Sequence, residues 1–431
     1  MSRKIPRHTI LAGALLSLGA SPLLGQTGVS GRWNLHFFSF GEEFDAARAE
    51  LKVNGTTVTG TLSELIVDGT IEGDLLRFTA TGPDGKDPSS FEGRVRDDEI
   101  SGTFRFREED YSWKARRAKE ATGAPRTHVF EPTAFHRVFS SAIAPVLRIN
   151  PGDTVRTTTV DAGGYDAKGV RRSMGGNPQT GPFYLEGAMP GDTLVVRLGR
   201  IRLNRDSAGS NNRIAPTAVQ PGYYRDAKFD DNRGIGWKLD REAGVGMPDG
   251  STERMKDFRV KLQPMLGCVG VAPSGDQAFF TGWPGPWGGN MDYSGVREGT
   301  TVYLPVYQEG ALLFVGDGHA LQGDGELNGN ALETSMDVEF TVDLIRGQST
   351  QGPRFEDDEC LMASGIAGSL QEAFQQATTE LALWLERDYR LSANESNIVL
   401  GTSIRFEIAE VVDPQVHIVA KVSKAVLATL R

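Results

Sequence analysis

The sequence has few cysteines and histidines for its length and no signature of a nucleophilic side chain. Only 2 cysteines and 6 histidines occur in 431 residues, so neither a disulfide framework nor a cysteine-rich zinc module is expected. Cys268 lies in an apolar run, which favours a buried free thiol over a disulfide with Cys360. The sequence contains no GxSxG motif and no reactive-cysteine context. Any hydrolysis is therefore expected to use water activated by a metal ion or a carboxylate.

The sequence also lacks an excess of positive charge and long apolar runs. Its 46 Lys and Arg residues are outnumbered by 56 Asp and Glu residues, which gives a net charge of -10. Nucleic-acid binding needs clustered Lys and Arg, so we expect no nucleic-acid partner. No stretch beyond the N-terminus approaches the 18 consecutive apolar residues of a membrane span. We therefore expect no membrane attachment of the mature chain.

The N-terminus has the layout of a secretory signal peptide. Three basic residues within the first seven precede the mostly apolar run 10–18, and small residues follow. This pattern predicts that residues 1–26 are a signal peptide and that the protein is exported to a periplasmic or extracellular location. The alternative interpretation is a buried N-terminal helix.

Residues 27–118 are predicted to form a small antiparallel β module. Three segments place an Asn-Gly, Asp-Gly or Asp-Asp turn between alternating apolar residues: 53–62, 67–78 and 95–106. Such turns are typical of two-residue hairpins. Repeated hairpins without a helix predict a barrel-like module, with Trp33 and Trp113 closing its core. The module contains no catalytic cluster, so a packing or docking role is expected.

Residues 128–431 are dense in short, alternating strands. Pro-Gly-Asp turns at 151–153 and 190–192 separate them. This pattern predicts a β-sandwich with a few helices, one of them capped by Ser369. The stretch 204–256 is polar and rich in glycine, which predicts a long loop of the kind that often covers a functional site.

The densest polar cluster is GDGHALQGDGE, residues 316–326, which follows the apolar strand ALLFV. Its polar side chains are Asp317, His319, Gln322, Asp324 and Glu326. Glycines between them let the backbone bring several side chains to one point. His, Asp and Glu can ligate a divalent cation or relay protons. The alternative is a solvated Gly-Asp turn with one surface histidine.

A second motif, TGWPGPWGGNMD, spans residues 281–292. Two tryptophans and two prolines stiffen a glycine-rich loop that ends in Asn290 and Asp292. Apolar walls with a few polar tips suit a pocket for a small ligand. A loop packed only by its own tryptophans is the alternative.

A third motif, TTTVDAGG, spans residues 157–164. Asp161 ends a β-branched strand and meets a pair of glycines. On its own pattern this residue is an ordinary strand-ending aspartate. It gains interest only if the fold brings it to the other two motifs.

Several segments occur in an order that resembles the acetamidase/formamidase family over about residues 130–425. GNMD followed by GDGHALQGDGE is the most specific part, whereas the PGDT turns are common in other proteins. The resemblance implies a mainly β fold and hydrolysis of a carboxamide to a carboxylate and ammonia. It also implies a polar site, built from these two motifs, that could hold a divalent metal.

On this basis we assign roles to the candidate site residues. His319 and Asp292 are the expected ligands of a divalent cation, with zinc and calcium both open. Glu326 is expected to carry protons, and Asp161 is the second catalytic carboxylate. The residues expected to contact the substrate amide or limit its acyl group are Asn290, Gln322, Trp283 and Trp287.

Two departures from the family pattern bear on the site and on the substrate. TTTVDA has threonine where related sequences are expected to have an acidic residue, so the site at Asp161 could be altered. The N-terminal module is unusual for the family, so the natural substrate could differ from formamide and acetamide. The protein could instead be a non-catalytic protein of this fold that binds a small ligand or an ion. It could also be a metal-free hydrolase with a carboxylate pair. The natural substrate is open, and so is assembly into a homo-oligomer.

Overall fold

The computed structural model describes residues 28–118, 123–229, 233–250 and 252–430. The predicted signal peptide lies outside these residues. Strands are far more extensive than helices, and the fold class is the predicted mainly β class with a barrel followed by packed sheets. No helix in the described part is long and apolar enough to cross a membrane. Cys268 and Cys360 are both free thiols.

The N-terminal module is a closed antiparallel barrel in which each strand pairs with the next and the last pairs with the first. Its strands are β1 (Gly31–Ser39), β2 (Glu42–Asn54), β3 (Thr57–Leu62), β4 (Leu65–Glu72), β5 (Leu75–Thr81), β6 (Ser89–Arg96), β7 (Glu99–Phe106) and β8 (Glu109–Arg117). The turn between β2 and β3 needs Gly55, whose φ is 61°. Closure leaves no unpaired strand edge in this module.

Apolar side chains fill the inside of the barrel. Trp33 and Trp113 are 0% and 1% exposed. The Trp33 indole donates to the Val29 carbonyl at 2.8 Å, and the Trp113 indole donates to the Thr103 carbonyl at 3.1 Å. Both predicted tryptophans thus lie in the core with their polar groups satisfied.

The second part of the chain contains further strands and four helices within the described residues. The strands are β9 (Thr127–Val129), β10 (Val138–Ser140), β11 (Leu147–Ile149), β12 (Thr154–Thr158), β13 (Gln179–Leu185), β14 (Thr193–Leu203), β15 (Ser207–Asn211), β16 (Gly234–Asp240), β17 (Val245–Pro248), β18 (Val260–Lys261), β19 (Met265–Val271), β20 (Ala278–Phe280), β21 (Pro284–Gly285), β22 (Gly288–Asn290), β23 (Thr301–Pro305), β24 (Leu313–His319), β25 (Glu333–Thr334), β26 (Met336–Ile345), β27 (Arg354–Glu356), β28 (Cys360–Ala367), β29 (Arg405–Glu410) and β30 (Val416–Ser423). The helices are α1 (Pro221–Asp226), α2 (Leu370–Asp388), α3 (Ala393–Ser403) and α4 (Lys424–Leu427).

Two sheets form the body of this part. The first follows the order β18-β17-β16-β15-β25-β24-β19-β22-β21, with β13 and β11 attached to β24. The second follows the order β29-β30-β28-β27-β23-β14-β26-β12-β9. One apolar core joins them: Phe183 on β13 meets Phe340 on β26 edge to face, with ring centroids 5.4 Å apart. Most of the functional candidates lie on or next to the first sheet, whereas Asp161 follows β12 of the second sheet.

The stretch 204–256 is not the single long loop that its composition predicted. It contains β15, β16, β17 and α1, and the strands extend the first sheet beyond β25. Backbone pairing overrides the local polarity, because Ala208 and Leu239 pack into a small apolar cluster under these strands. By contrast, the predicted helix α2 is confirmed, with Ser369 Oγ accepting from the Glu372 amide at 3.2 Å.

A buried ion pair joins the barrel to the second part of the chain. Arg48 on β2 donates to both carboxylate oxygens of Asp192 at 2.8 Å and to the Gly187 carbonyl at 2.6 Å. Asp192 ends one of the two Pro-Gly-Asp turns, and its carboxylate also accepts from the Met189 and Gly347 amides. This turn therefore has a structural role.

Candidate functional site

Three neighbouring strands of the first sheet carry the polar motifs to one point. Asp317 and His319 lie two residues apart on β24, so their side chains leave the same face. Strand β19 lies between β24 and β22 and pairs with both. Asn290 ends β22, and Asp292 lies two residues further along the chain. The two sequence motifs therefore meet across β19.

The middle strand makes room for these side chains with a glycine. A Cβ atom on Gly267 would lie 2.6 Å from Asp317 Oδ2 and 2.7 Å from His319 Cε1. Asp292 Oδ1 is also among the nearest atoms. Any side chain at this position would collide with the cluster, so the glycine allows the three polar residues to converge.

The cluster is centred on the His319 imidazole. Its Nε2 atom lies 3.3 Å from Glu333 Oε2, 3.4 Å from Asp317 Oδ2 and 3.9 Å from Asp292 Oδ1. All four side chains are buried. Within the described residues, candidate ligand atoms fall within 4.8 Å of one another in two sets that share His319. One set adds Asp292 and Asp317, and the other adds Glu326 and Glu333.

Gln322 fixes the orientation and the tautomer of His319. The Gln322 amide nitrogen donates to the Asp292 carbonyl and, at 3.1 Å, to the Ala409 carbonyl. Its Oε1 atom must therefore face His319 Nδ1, 3.0 Å away, and accept a hydrogen bond from the Nδ1–H group. In the neutral imidazole this leaves a lone pair on Nε2, aimed at the carboxylates.

Several buried atoms of the cluster make no hydrogen bond within the described structure. They are His319 Nε2, Asp292 Oδ1, Asp317 Oδ1 and Glu333 Oε2. An unpartnered buried polar atom costs about 1–3 kcal/mol, and more when it is charged. Imidazole nitrogen and carboxylate oxygen are the atoms that ligate divalent metals in proteins. The residues present therefore fit a divalent cation.

The electrostatics of the cluster follow from its burial and its excess of acids. Burial and the Glu326 carboxylate raise the pKa of Asp292 well above its usual value. Burial raises the pKa of Asp317 to about 6, although His319 opposes the shift. Burial lowers the pKa of His319, but the Glu333 and Asp317 carboxylates outweigh it and hold the pKa well above its usual value. The carboxylates repel one another unless protons or a cation compensate them.

Backbone strain coincides with the same residues. Asp292, Asp317 and Glu326 have φ angles of 42°, 58° and 46°, in the left-handed region that L-residues seldom adopt. Such conformations cost about 1–3 kcal/mol each and concentrate at functional sites. Strain and unpartnered polar atoms thus occur together at Asp292 and Asp317, which favours a functional origin for both at these two residues.

An amide network holds the acids in place. Asn290 Nδ2 donates to Asp292 Oδ2 and, at 3.0 Å, to Asp413 Oδ2. Its Oδ1 accepts from Asn177 Nδ2 at 2.7 Å, and Asn177 also donates to Asp317 Oδ2 at 3.0 Å. Asn290, predicted to contact the substrate, thus has its hydrogen-bonding groups engaged with the protein and positions Asp292.

Sequence reasoning did not single out Glu333, Asn177 or Asp413. Glu333 reaches the site because β25 pairs with the end of β24, opposite His319. One oxygen of the Glu333 carboxylate, Oε1, accepts from the Ala331 amide at 3.0 Å. The other oxygen, Oε2, faces His319. No local pattern marks these residues, since only non-local pairing brings them to the cluster.

Glu326 lies at the outer side of the cluster. It is 7% exposed, and burial raises its pKa well above its usual value. With Gln322 it also lines a cavity of about 240 Å³. Glu326 is thus the cluster carboxylate that faces both the candidate metal ligands and an adjoining space.

The other three predicted residues lie outside the two sets of candidate ligands. Asp161 accepts from Arg205 Nη2 at 2.5 Å and from the Tyr165 amide at 2.8 Å. Trp287 is buried and stacks on Phe279, with ring centroids 4.0 Å apart. Trp283 is 39% exposed. These contacts give Asp161 and Trp287 clear packing roles, and their predicted roles in the reaction stay predictions.

Part of the chain matches the sequence model of a known protein family. The sequence model of the Acetamidase/Formamidase family matches residues 275–362. This segment contains all five acidic and histidine residues of the cluster. The predicted resemblance to the acetamidase/formamidase family is confirmed.

Relatives of the acetamidase/formamidase family match over parts of their length. An acetamidase of Mycolicibacterium smegmatis is 40% identical over 95 residues, which are 20% of this chain and 23% of that protein. A formamidase of Methylophilus methylotrophus is 24% identical over 261 residues, which are 49% of this chain and 64% of that protein. The matched segments therefore span less than two thirds of either relative.

A solved acetamidase/formamidase structure shows the same fold. The acetamidase from Yersinia enterocolitica superposes with a TM-score of 0.61 and 28% identity. The superposition covers 72% of this chain and 96% of that one. More than a quarter of this chain thus lies outside the shared fold.

Proposed function

We propose that this protein hydrolyses small linear carboxamides to a carboxylate and ammonia. One observation carries the proposal: the unpartnered buried atoms of Asp292, His319 and Glu333 converge beside Glu326. This convergence lies in the segment that matches the acetamidase/formamidase family. The similarity to an acetamidase and a formamidase supports amide hydrolysis as the reaction class.

The residues that would hold a divalent cation are His319, Asp292 and Asp317, which form one of the two sets of candidate ligands. One imidazole nitrogen with carboxylate oxygens suits zinc better than calcium, which takes oxygen ligands. When bound, the cation would supply Lewis-acid polarisation and balance the negative charge of the carboxylates. Gln322 would keep the Nε2 lone pair of His319 directed at the cation.

Glu326 would transfer a proton from the attacking water to the departing amide nitrogen. Its carboxylate takes a proton from water as the water oxygen bonds to the amide carbon. The carbon–nitrogen bond then breaks, and Glu326 returns the proton to the departing nitrogen, which leaves as ammonia. Water adds one oxygen and two hydrogens in total, so the products are a carboxylic acid and ammonia. Asn290 and Gln322 contribute as positioning residues, because they hold Asp292 and His319.

Ammonia release from formamide, acetamide and propionamide tests the proposal. We expect equal amounts of ammonia and carboxylate from at least one of them. A folded protein that releases no ammonia from any small amide would contradict the proposal and would favour a ligand-binding role.

We also propose that the protein is exported. The basic and then apolar start of the sequence supports removal of about the first 26 residues. N-terminal sequencing of the protein from its native host should find a new N-terminus near this position. An intact Met1 on the mature protein would contradict export by this route.

A further inference from the structure

A mostly apolar cavity adjoins the cluster on the side of Glu326. Its volume is about 240 Å³, and its lining includes Trp237, Val260, Leu327, Leu332, Gln322 and Glu326. Polar residues, among them Asp324 and Asn328, also line the cavity, but most of its exposed surface is apolar. Glu326 therefore lies between the candidate metal ligands and a space with a mainly apolar surface. A group in this space would be next to the proposed proton carrier.

One wall of the cavity comes from the stretch that was expected to be a long loop, and most of the remaining lining lies between residues 321 and 332. Trp237 on β16 forms one wall, and its indole donates to Ser210 Oγ at 2.9 Å, which fixes the ring. Trp237 and Val260 pack against the cluster that contains the buried Leu332. The wall is thus anchored on the first sheet and belongs to the same rigid element as the site.

The opposite wall is tied to the cluster itself. The Ala331 amide donates to Glu333 Oε1, and the Asn330 side chain lies 3.5 Å from the same atom. Asn330 and Ala331 both line the cavity. The backbone that shapes this wall therefore also orients Glu333 toward His319.

The size and chemistry of the cavity indicate what it would hold. An apolar cavity of about 150 Å³ can bind benzene, and this cavity is larger. We propose that it binds the acyl group of the substrate, and that the preferred substrates are primary amides with a bulky apolar acyl group, such as benzamide. This inference rests on the proposed amide hydrolysis, and the reaction is unchanged: benzamide and water give benzoic acid and ammonia.

The residues that would select the acyl group differ from the two tryptophans predicted from the sequence. Neither Trp283 nor Trp287 is among the described residues that line this cavity. Trp237, Leu327 and Leu332 take that role. Leu327 is 43% exposed, although it is a large apolar residue, which fits a side chain that becomes covered when substrate binds.

A comparison of benzamide with formamide tests the cavity. Burying the ring should raise kcat/KM for benzamide above that for formamide by about 10–100-fold in the wild type. Leu327→Ser should lower this benzamide-to-formamide ratio about five- to tenfold, since it removes an apolar contact. Leu370→Ser is the matched control, because Leu370 is similarly exposed, at 45%, and begins α2. The benzamide-to-formamide ratio of Leu370→Ser should equal that of the wild type.

The outcomes separate failure of the cavity from failure of the reaction. Ammonia release with no preference for benzamide, or with a ratio that Leu327→Ser leaves unchanged, would overturn the acyl assignment alone. No ammonia from any amide would overturn the proposed function. Calorimetry with benzamide then decides about the cavity: weaker binding to Leu327→Ser than to Leu370→Ser supports it, and equal or undetectable binding overturns it.

Discussion

The barrel and the sheet that carries the site differ in how their buried polar groups are hydrogen-bonded. In the barrel, the two largest buried side chains, Trp33 and Trp113, both donate their polar group to a backbone carbonyl. In the first sheet, Asp292 and His319 are equally buried, yet each keeps an atom without a hydrogen-bond partner. The barrel is organised for stability, whereas the sheet tolerates a local cost.

Several buried acids in the second part of the chain do not carry this cost. Asp153, which is 1% exposed, accepts from the amides of Asn150 and Arg126 and from the His128 ring. Asp192 is similarly satisfied by Arg48 and backbone amides. Glu380 and Glu410 each keep one unpartnered oxygen elsewhere, but three carboxylates with unpartnered oxygens surround His319. This concentration marks the place where a ligand would complete the structure.

Substitution of Glu326 should give the largest effect on turnover. Glu326→Gln removes the proposed proton carrier with little change of shape, so turnover should fall by about 10²–10⁴ while metal content and the fold persist. Asp358→Asn is the control, because Asp358 is an exposed acid that does not line the cavity beside Glu326. Steady-state ammonia release measures both variants. Equal rates for Glu326→Gln and the wild type would remove Glu326 from the reaction.

In the barrel, we expect a substitution to lower stability and to leave turnover unchanged. Trp113→Ala should lower the free energy of unfolding by about 3–5 kcal/mol, since it leaves a large cavity among apolar side chains. Turnover per folded molecule should stay at the wild-type value. Denaturant unfolding and ammonia release at low temperature provide the two measurements. A loss of turnover in the folded variant would show that the barrel shapes the site.

Gln322→Ala tests whether the hydrogen bond that orients His319 contributes to metal affinity. The variant keeps every candidate ligand but releases the His319 ring, so metal affinity should fall by about 10–100-fold. Competition with a chromogenic chelator measures the affinity. An unchanged affinity would mean that the ring is held by other contacts.

The smallest effect is expected at the satisfied acid Asp153. Burial opposes ionisation, but the amides of Asn150 and Arg126 and the His128 ring outweigh it, so the pKa of Asp153 is lowered. A lowered pKa in the folded state adds stability above the unfolded-state value of about 3.9, and this stability is lost as the pH falls through the folded-state pKa. Asp153→Asn should therefore cost about 1 kcal/mol at pH 7 and less at pH 3. Urea unfolding at both pH values measures the change, and a cost that does not vary with pH would contradict it.

Local signals in the sequence predicted much of the architecture. Asn-Gly and Asp-Gly turns between alternating residues identified the barrel, and Ser369 identified α2. The stretch 204–256 was misjudged, because its polar composition hides strands whose stability comes from pairing at the edge of the first sheet. Composition is a weak guide where tertiary pairing decides.

The candidate site was predictable only where its residues share a motif. Asp292, His319 and Glu326 stand in glycine-rich segments, and the structure brings them together. Glu333 arrives through strand pairing with His319, which no local pattern reveals. Gly267 is needed to avoid a clash, and the clashing side chains come together only when three strands align.

Metal dependence of ammonia release tests the central claim most directly. Metal content and turnover should be measured on the same sample, before chelation, after chelation and after addition of zinc. If the atoms around His319 ligate a divalent cation, chelation should abolish turnover, zinc should restore it, and His319→Ala should neither hold the metal nor recover. Full turnover in a sample proven free of metal would contradict the account.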